Sequence, residues 1–215
     1  MRIFDGIIFD IDGTLTATNE LIFATFRHVT KKYLNRSVSD EEIISMFGPT
    51  EDVILKEWMK DDFDEARKDY LAFYEEQHHL MADVYPGIKE ILQLIKSKNV
   101  LLSIYTGKGR ESSLITLKKI GVLDLFDMVV TGDDIEGHKP SPEGVKVFLD
   151  KFSLDPEKVL MVGDAPADVL AAHNSGIKIA SVLWDSYAKE KVLQMKSDYF
   201  FETVNEFRLF LENVL

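Results

Sequence analysis

The first regular pattern in the chain is IFDGIIFDIDGT, at residues 3–14. Residues 3–9 form a short apolar run rich in β-branched side chains, which is typical of a buried strand that ends at Asp10. Asp10 and Asp12 lie two positions apart, so their carboxylates point to the same side if the extended geometry continues. Two carboxylates on one side repel each other and need a cation, a proton or ample water. The segment therefore predicts a buried strand with a candidate cation site at its end.

A helical pattern follows this strand, from about residue 18 to residue 80. Apolar side chains recur there at three- and four-residue steps, at Ile22, Phe26, Val29 and Tyr33. Ser39 and Asp62 are each followed three residues later by a glutamate, which resembles a helix cap. No convincing strand interrupts the region, so we expect a helical insertion after the first strand.

Helices and strands alternate from residue 88 onward. We predict strands at 100–105, 127–131, 159–162 and 177–183, helices at 88–97, 110–120, 167–174 and 203–213, and one more helix capped by Ser141. This alternation favours an α/β fold, with a doubly wound, Rossmann-like parallel sheet as its core. We expect residues 1–15 and 84–215 to form that core and residues 16–83 to form an inserted all-α cap domain. Ligands in such sheets bind at the carboxyl edge, where the insertion is placed to act as a lid.

The composition excludes several classes of protein. None of the 215 residues is cysteine, so disulfides, thiolate metal sites and thiol nucleophiles are impossible. The net charge of −12 argues against a nucleic-acid binder, which needs lysine and arginine to neutralise phosphates. The N-terminal residues do not resemble a signal peptide, and no apolar run reaches about 18 residues. We therefore expect a cytoplasmic protein that binds neither nucleic acid nor a membrane.

Polar residues follow the predicted strands at several places besides the first. Thr106 and Gly107 come after the strand at 100–105, Lys139 precedes a helix, and Asp164 follows the strand at 159–162, with Asp168 four residues later. Each segment alone also fits an ordinary turn, helix cap or surface residue. Because the fold brings these positions to one edge, together they supply a nucleophile, an acid or base, phosphoryl-binding groups and ligands for Mg²⁺. The combination indicates phosphoryl transfer.

These segments resemble the motifs of the haloacid dehalogenase superfamily, in its phosphatase branch with a helical cap. Phe9–Leu15 is similar to the first motif, Lys139–Glu143 to the third and Val162–Asp168 to the fourth, while Tyr85–Ile88 resembles the segment that returns from the cap. The phosphoglycolate phosphatase-like subgroup is the most similar one. The resemblance runs over nearly the whole chain, although the second motif, at Thr106, carries Gly107 where the family often has asparagine.

The resemblance implies a phosphatase that hydrolyses a small phosphomonoester, with 2-phosphoglycolate as one candidate. Asp10 would attack phosphorus and form an aspartyl-phosphate, and Asp12 would protonate the leaving oxygen and then deprotonate water. Thr106, the amide of Gly107 and Lys139 would hold the phosphoryl oxygens. The expected partner is a small phosphorylated metabolite, and the chain is expected to be a monomer or a homodimer.

The resemblance also implies a magnesium site. Asp10, the backbone carbonyl of Asp12 and Asp164 would bind Mg²⁺. Asp168 would either support these ligands or simply begin the next helix. In the cap, the loop Phe47–Thr50 could reach over the site, and four basic residues could meet an anionic substrate, namely Arg27, Lys31, Lys32 and Lys56. The pair His78-His79 is read as structural or solvent-exposed, because adjacent helical residues face different ways.

Three alternatives to a phosphatase fit part of the pattern. A signalling receiver domain also combines early acids, a threonine and a lysine, but it is much shorter and has no counterpart of Asp164. A phosphomutase of the β-phosphoglucomutase type shares every core motif and stays open as the second hypothesis. An inactive scaffold is disfavoured because the set of motif acids is complete.

Overall fold

The computed structural model describes residues 2–215. The strands, in chain order, are β1 (Gly6–Phe9), β2 (Thr16–Ala17), β3 (Asp83–Val84), β4 (Leu101–Tyr105), β5 (Met128–Val130), β6 (Val159–Gly163), β7 (Lys178–Val182) and β8 (Tyr199–Phe201). The helices are α1 (Asn19–Leu34), α2 (Asp40–Ile44), α3 (Glu51–Met59), α4 (Phe63–Met81), α5 (Ile88–Ser97), α6 (Arg110–Lys119), α7 (Glu143–Phe152), α8 (Pro166–Ser175), α9 (Lys189–Leu193) and α10 (Val204–Val214). Among these described residues, no helix is both long and apolar enough to cross a bilayer.

A six-stranded parallel sheet forms the centre of the molecule, in the order β5-β4-β1-β6-β7-β8. Phe9, the last residue of β1, lies between Ile104 of β4 and Val162 of β6. The strand order reverses across β1, and this reversal makes the crevice at the carboxyl ends of the strands in which such sheets bind ligands. The predicted α/β fold with a parallel sheet is confirmed.

Apolar side chains cover both faces of the sheet. Ile7 and Phe9 pack on one face under α5 and α10, and Ile8 packs on the other face with Phe148 of α7. This alternation, together with complete burial of β1, explains why residues 6–9 read as a continuous apolar run. β1 is therefore fixed rigidly, and the residues that follow it start from a defined position.

Helices α1 to α4 enclose a separate apolar cluster. Phe26 of α1 packs edge-on against Tyr70 of α4, with ring centroids 5.1 Å apart. The segments that lead into and out of this region are β2 and β3. They pair as a short antiparallel ribbon, in which Thr16 lies opposite Val84. On these grounds we propose the division of the chain into a catalytic core of residues 1–15 and 84–215 and a cap of residues 16–83.

Several local predictions need correction. β1 begins at Gly6 rather than at residue 3, because the backbone N–H groups of Ile3 and Asp5 pair outside the ladder, with the carbonyls of Val214 and Lys158. The short strands β2, β3 and β8 and helix α9 were not predicted, since two to five residues are too few to show periodicity.

The predicted helix caps agree with the structure in part. Ser39 caps α2 by accepting a hydrogen bond from the Glu42 N–H. Asp62 precedes α4 but makes no side-chain cap. Helix α7 begins at Glu143, so the predicted cap at Ser141 is one residue too early, although its hydroxyl accepts a hydrogen bond of 3.2 Å from the Glu143 N–H.

Candidate active site

The carboxyl ends of the three central strands meet beneath the cap. Asp10 follows β1, Thr106 follows β4 and Asp164 follows β6, while Lys139 reaches the same place from the loop before α7. A cavity of about 150 Å³ opens here between the sheet edge and the helices of the cap, and the predicted residues Asp10, Asp12, Thr106, Gly107, Lys139, Asp164 and Asp168 all line it. The convergence inferred from the sequence is thus present in three dimensions.

Asp10 is held at the bottom of the cavity by its backbone and its side chain. Its N–H donates to the carbonyl of Val162 at 3.0 Å, which extends the pairing of β1 with β6 by one residue. Its carboxylate Oδ1 accepts a hydrogen bond from Lys139 Nζ at 2.8 Å. Burial raises the pKa of Asp10 to about 6; Lys139 opposes this shift, whereas the nearby acids Asp168 and Asp12 add to it.

Lys139 is buried and lies between two carboxylates. Its Nζ is 2.8 Å from Asp10 Oδ1 and 2.6 Å from Asp168 Oδ1. Burial alone would lower the pKa of Lys139, but these two carboxylates raise it above its usual value, so the side chain carries its charge. The reading of Lys139 as an ordinary surface lysine is therefore wrong.

Three buried acids form a cluster around this lysine. Carboxylate oxygens of Asp10, Asp164 and Asp168 all lie within 4.8 Å of one another. Burial raises the pKa of Asp164 well above its usual value, and the charges of Asp168 and Asp10 add to the shift. Three carboxylates beside the single ammonium of Lys139 leave two negative charges in a buried place, which is the charge that a divalent cation would neutralise. The residues fit a Mg²⁺ ion.

Two glycines make room for this cluster. Gly13 has a φ of +75°, in the left-handed region, and a Cβ on it would lie 2.5 Å from Asp164 Oδ2. A Cβ on Gly163 would lie 2.3 Å from the carboxyl carbon of Asp168. The glycines of the Asp-Gly and Gly-Asp pairs in the sequence are thus required by the close packing of the acids.

Asp12 is oriented differently from Asp10. Its carboxylate accepts a hydrogen bond from the hydroxyl of Thr18 and faces Lys108 Nζ at 3.5 Å. The strand ends at Phe9, so the extended geometry does not continue, and the two acids pair with different lysines. The side chain of Asp12 is outside the acid cluster, whereas Asp168, predicted only to support the metal, is within it.

Asp168 holds α8 as well as Lys139. Its Oδ2 accepts a hydrogen bond of 3.0 Å from the N–H of Ala165, directly before the first turn of the helix. Asp168 thus caps the start of α8 and also pairs with Lys139.

The turn after β4 presents its residues to the cavity. The buried hydroxyl of Thr106 accepts a hydrogen bond of 3.3 Å from the N–H of Lys108, and Gly107 lies between them. Burial alone would lower the pKa of Lys108, but the Asp12 carboxylate helps to raise it well above its usual value. The sequence alone indicated no role for Lys108, although its position shortly after a strand end was a usable signal.

The cap supplies the opposite wall of the cavity, which is largely apolar. It comprises Asn19, Ile22, Phe26, Phe47, Gly48, Pro49, Glu51, Ile54 and Tyr70, so the loop at 47–50 does reach over the site. The four basic residues proposed in the cap do not line the cavity; Arg27, for example, pairs with Asp40, and Lys32 pairs with Asp69. His78 is buried against Tyr74 and His79 is exposed.

Polar contacts seat the cap on the core. The Glu51 carboxylate accepts hydrogen bonds from the Gly109 N–H at 2.8 Å and the Ser112 hydroxyl at 2.5 Å. The hydroxyls of Tyr74 and Thr116 are hydrogen-bonded at 2.8 Å. Glu51 and Tyr187, both in the cavity wall, were missed by sequence analysis, because neither lies at a strand end or in a recognisable motif.

Several known proteins are similar to this chain in sequence or in fold. A pyrophosphatase PpaX of Bacillus pumilus is 34% identical over 200 residues, which cover 93% of each chain. A crystal structure of a predicted phosphoglycolate phosphatase from Haemophilus somnus has the same fold, with a TM-score of 0.84 and 24% identity over 100% of both chains. A Thermotoga maritima protein assigned as a β-phosphoglucomutase has a TM-score of 0.78 and 26% identity over 99% of this chain and 100% of its own.

The sequence profile of one family matches most of the chain. This profile, of the haloacid dehalogenase-like hydrolases, matches residues 7–182 and so spans β1, the cap and β7. The predicted resemblance is confirmed, and the chain belongs to the haloacid dehalogenase-like hydrolases, as a hydrolase of phosphoric esters.

Proposed function

We propose that this enzyme is a Mg²⁺-dependent phosphatase that releases phosphate from a small substrate through a covalent intermediate on Asp10. The observation that carries the proposal is the buried Asp10 carboxylate, which lies 2.8 Å from Lys139 and within 4.8 Å of two further acids. A carboxylate in a cavity that opens toward the cap is placed to act as a nucleophile.

The chemistry proceeds in two steps. Asp10 Oδ attacks phosphorus as the bond to the leaving oxygen breaks, and Asp12 donates its proton to that oxygen. A water molecule then attacks phosphorus, Asp12 takes the water's proton, and Asp10 is released with inorganic phosphate. Lys139, the Thr106 hydroxyl and the Gly107 amide hold the phosphoryl oxygens, where preorganised donors stabilise the developing charge.

Asp10, Asp164 and the backbone carbonyl of Asp12 would hold Mg²⁺, with Asp168 beside them. When bound, the ion supplies positive charge to the phosphoryl oxygens and offsets repulsion among the acids. Asp168 keeps Lys139 in place through its 2.6 Å ion pair.

Pyrophosphate and 2-phosphoglycolate are the two leading candidates for the substrate. The relative named pyrophosphatase supports pyrophosphate, while 2-phosphoglycolate follows from the sequence motifs.

The second candidate is a phosphomutase, which the similarity to the Thermotoga maritima protein favours. Incubation with a hexose 1-phosphate distinguishes the two, since a mutase yields the 6-phosphate and a phosphatase yields free phosphate.

A screen of phosphate release tests the proposal directly. Pyrophosphate, 2-phosphoglycolate, nucleoside monophosphates and sugar phosphates would be compared in the presence of Mg²⁺ and of EDTA. We expect turnover with Mg²⁺ only, and none for Asp10→Asn. Normal turnover by Asp10→Asn would show that the nucleophile is another group.

A further inference from the structure

The cavity contains two lysines that differ in how closely their ammonium groups are paired with carboxylates. Among the described residues that line it, Lys108 and Lys139 are the basic ones. Lys139 donates hydrogen bonds to two carboxylates, at 2.8 and 2.6 Å. Within residues 2–215, the ammonium of Lys108 forms one ion pair, a longer one of 3.5 Å with Asp12. Lys108 is therefore less fully paired than Lys139 and can bind a further anion.

Burial makes the incomplete pairing of Lys108 significant. The Lys108 side chain is only 5% exposed. A buried ammonium with free donors costs free energy unless a ligand or water completes its hydrogen bonds. Its Nζ lies 4.5 Å from the centre of the Tyr74 ring, which holds the charge at the boundary between core and cap. The side chain is thus fixed in place with its charge available to the cavity.

The position of Lys108 relative to the proposed chemistry indicates what it binds. Lys139 is on the side of the nucleophile, whereas Lys108 is beside Asp12, the residue proposed to protonate the leaving oxygen. Lys108 accordingly lies on the side of the leaving group. The cap wall there is mostly apolar, and the carboxylate of its one acid, Glu51, is already bound by Gly109 and Ser112.

We propose that Lys108 binds an anionic group on the leaving part of the substrate, so that the preferred substrates carry a second phosphate or a carboxylate next to the transferred phosphoryl group. This inference rests on the proposed function and narrows its substrate class. Phosphate compounds with a neutral leaving group lack the partner of Lys108 and bind only through the phosphoryl site.

The test compares substrates that differ only in that anionic group. 2-Phosphoglycolate and ethyl phosphate have the same carbon chain length, and only the first has a carboxylate; pyrophosphate represents the second phosphate. Wild-type kcat/KM should be at least tenfold higher for one of the two anionic substrates than for ethyl phosphate. In Lys108→Met, kcat/KM for that anionic substrate should fall by about 10- to 100-fold, as for loss of a charged hydrogen bond, and by less than about threefold for ethyl phosphate.

Controls separate binding from folding. Lys118→Met changes an exposed lysine of the following helix and should affect neither substrate. Lys108→Arg keeps the charge and should recover part of the discrimination. If Lys108→Met fails to fold, the wild-type ratio and Lys108→Arg still decide the question.

The outcomes distinguish this inference from the proposed function. Equal losses on the anionic substrate and on ethyl phosphate, or a wild-type ratio near one, would overturn the role of Lys108 while leaving the phosphatase proposal intact. An absence of turnover dependent on Asp10 with every substrate would instead refute the proposed function.

Discussion

The carboxylate of Glu51, in the cap, accepts a hydrogen bond of 2.8 Å from the backbone N–H of Gly109, in the core. Gly109 directly precedes α6 and lies three residues after Thr106 in the turn that lines the cavity. A single side chain of the cap thus fixes the start of a core helix and the turn that carries the proposed phosphoryl-binding groups. Position of the cap and geometry of the site are coupled through this contact.

Glu51→Ala is expected to lower the free energy of unfolding by about 1–3 kcal/mol, because it leaves the Gly109 N–H and the Ser112 hydroxyl without their acceptor. It should also lower kcat/KM, since the turn at Thr106 loses its support. Glu51→Gln keeps an acceptor oxygen and should lose less of both. Urea unfolding and steady-state kinetics measure the two effects; equal stability of wild type and Glu51→Ala would show that the contact is not formed in solution.

The stability of the metal-free protein should depend on pH through Asp10. Its pKa is raised to about 6, from about 4 in an unfolded chain, so the fold disfavours the charged form. The stabilising contribution of the protonated group is complete below about pH 4 and is lost as the pH rises through about 6. In EDTA, wild type should lose about 2–3 kcal/mol of its free energy of unfolding between pH 4 and pH 8 through Asp10, whereas Asp10→Asn should not lose this contribution. The stability of Asp10→Asn relative to wild type should therefore rise by that amount over this range.

Thermal unfolding at several pH values measures this difference. Asp124→Asn, which changes an exposed acid that does not line the cavity, controls for loss of a carboxylate in general. A difference between Asp10→Asn and wild type that stays constant over the range would contradict the raised pKa.

Magnesium should stabilise the protein through Asp164. At about a hundredfold excess over its dissociation constant, a ligand that binds only the folded state adds about 2.7 kcal/mol to the free energy of unfolding. We expect this gain in stability for wild type and for Asp124→Asn. Asp164→Asn should show neither the gain in stability nor turnover. Calorimetric titration with Mg²⁺ gives an independent measure, and undiminished binding by Asp164→Asn would remove that residue from the site.

Gly13→Ala should destabilise the protein in two ways, through its left-handed backbone conformation and through contact of the new Cβ with Asp164. Gly176→Ala measures the effect of the backbone conformation alone. Gly13 and Gly176 have similar left-handed φ values of +75° and +70°, but a Cβ on Gly13 would lie 2.5 Å from Asp164 Oδ2, whereas one on Gly176 meets nothing within 4 Å. Gly176→Ala should cost about 1 kcal/mol of stability for its backbone alone. Gly13→Ala should cost clearly more and should weaken Mg²⁺ binding, as chemical unfolding and titration would reveal; equal costs would mean that Asp164 moves aside freely.

Much of the core could be predicted from sequence because its signals are local and strong. Residues 6–9 and 159–163 are buried on both faces of the sheet. Strands buried in this way consist almost entirely of apolar residues, so they can be recognised in the sequence as short apolar runs. The convergence of Asp10, Thr106 and Asp164 followed from the rule that parallel strands present their carboxyl ends at one edge. Short elements such as β8, with three residues, gave no comparable pattern.

The cap side of the site was harder to predict because it depends on tertiary contacts. Glu51 looks like an ordinary acid in the first turn of α3, and only the packing of the cap brings it to Gly109. Arg27 and Lys32 look available to an anion, yet each pairs with a carboxylate on the cap itself. The partners of charged side chains, rather than their presence, determine which of them reach the cavity.

The ribbon of β2 and β3 has a consequence for how this enzyme can diverge. Thr16 opposite Val84 and Ala17 opposite Asp83 bring both ends of the cap to one place, beside the sheet edge. A segment whose ends are adjacent can be lengthened, shortened or replaced at little cost in chain entropy. The acids and Lys139 lie outside that segment, so the cap wall can change in length or sequence while the residues proposed for the chemistry stay the same.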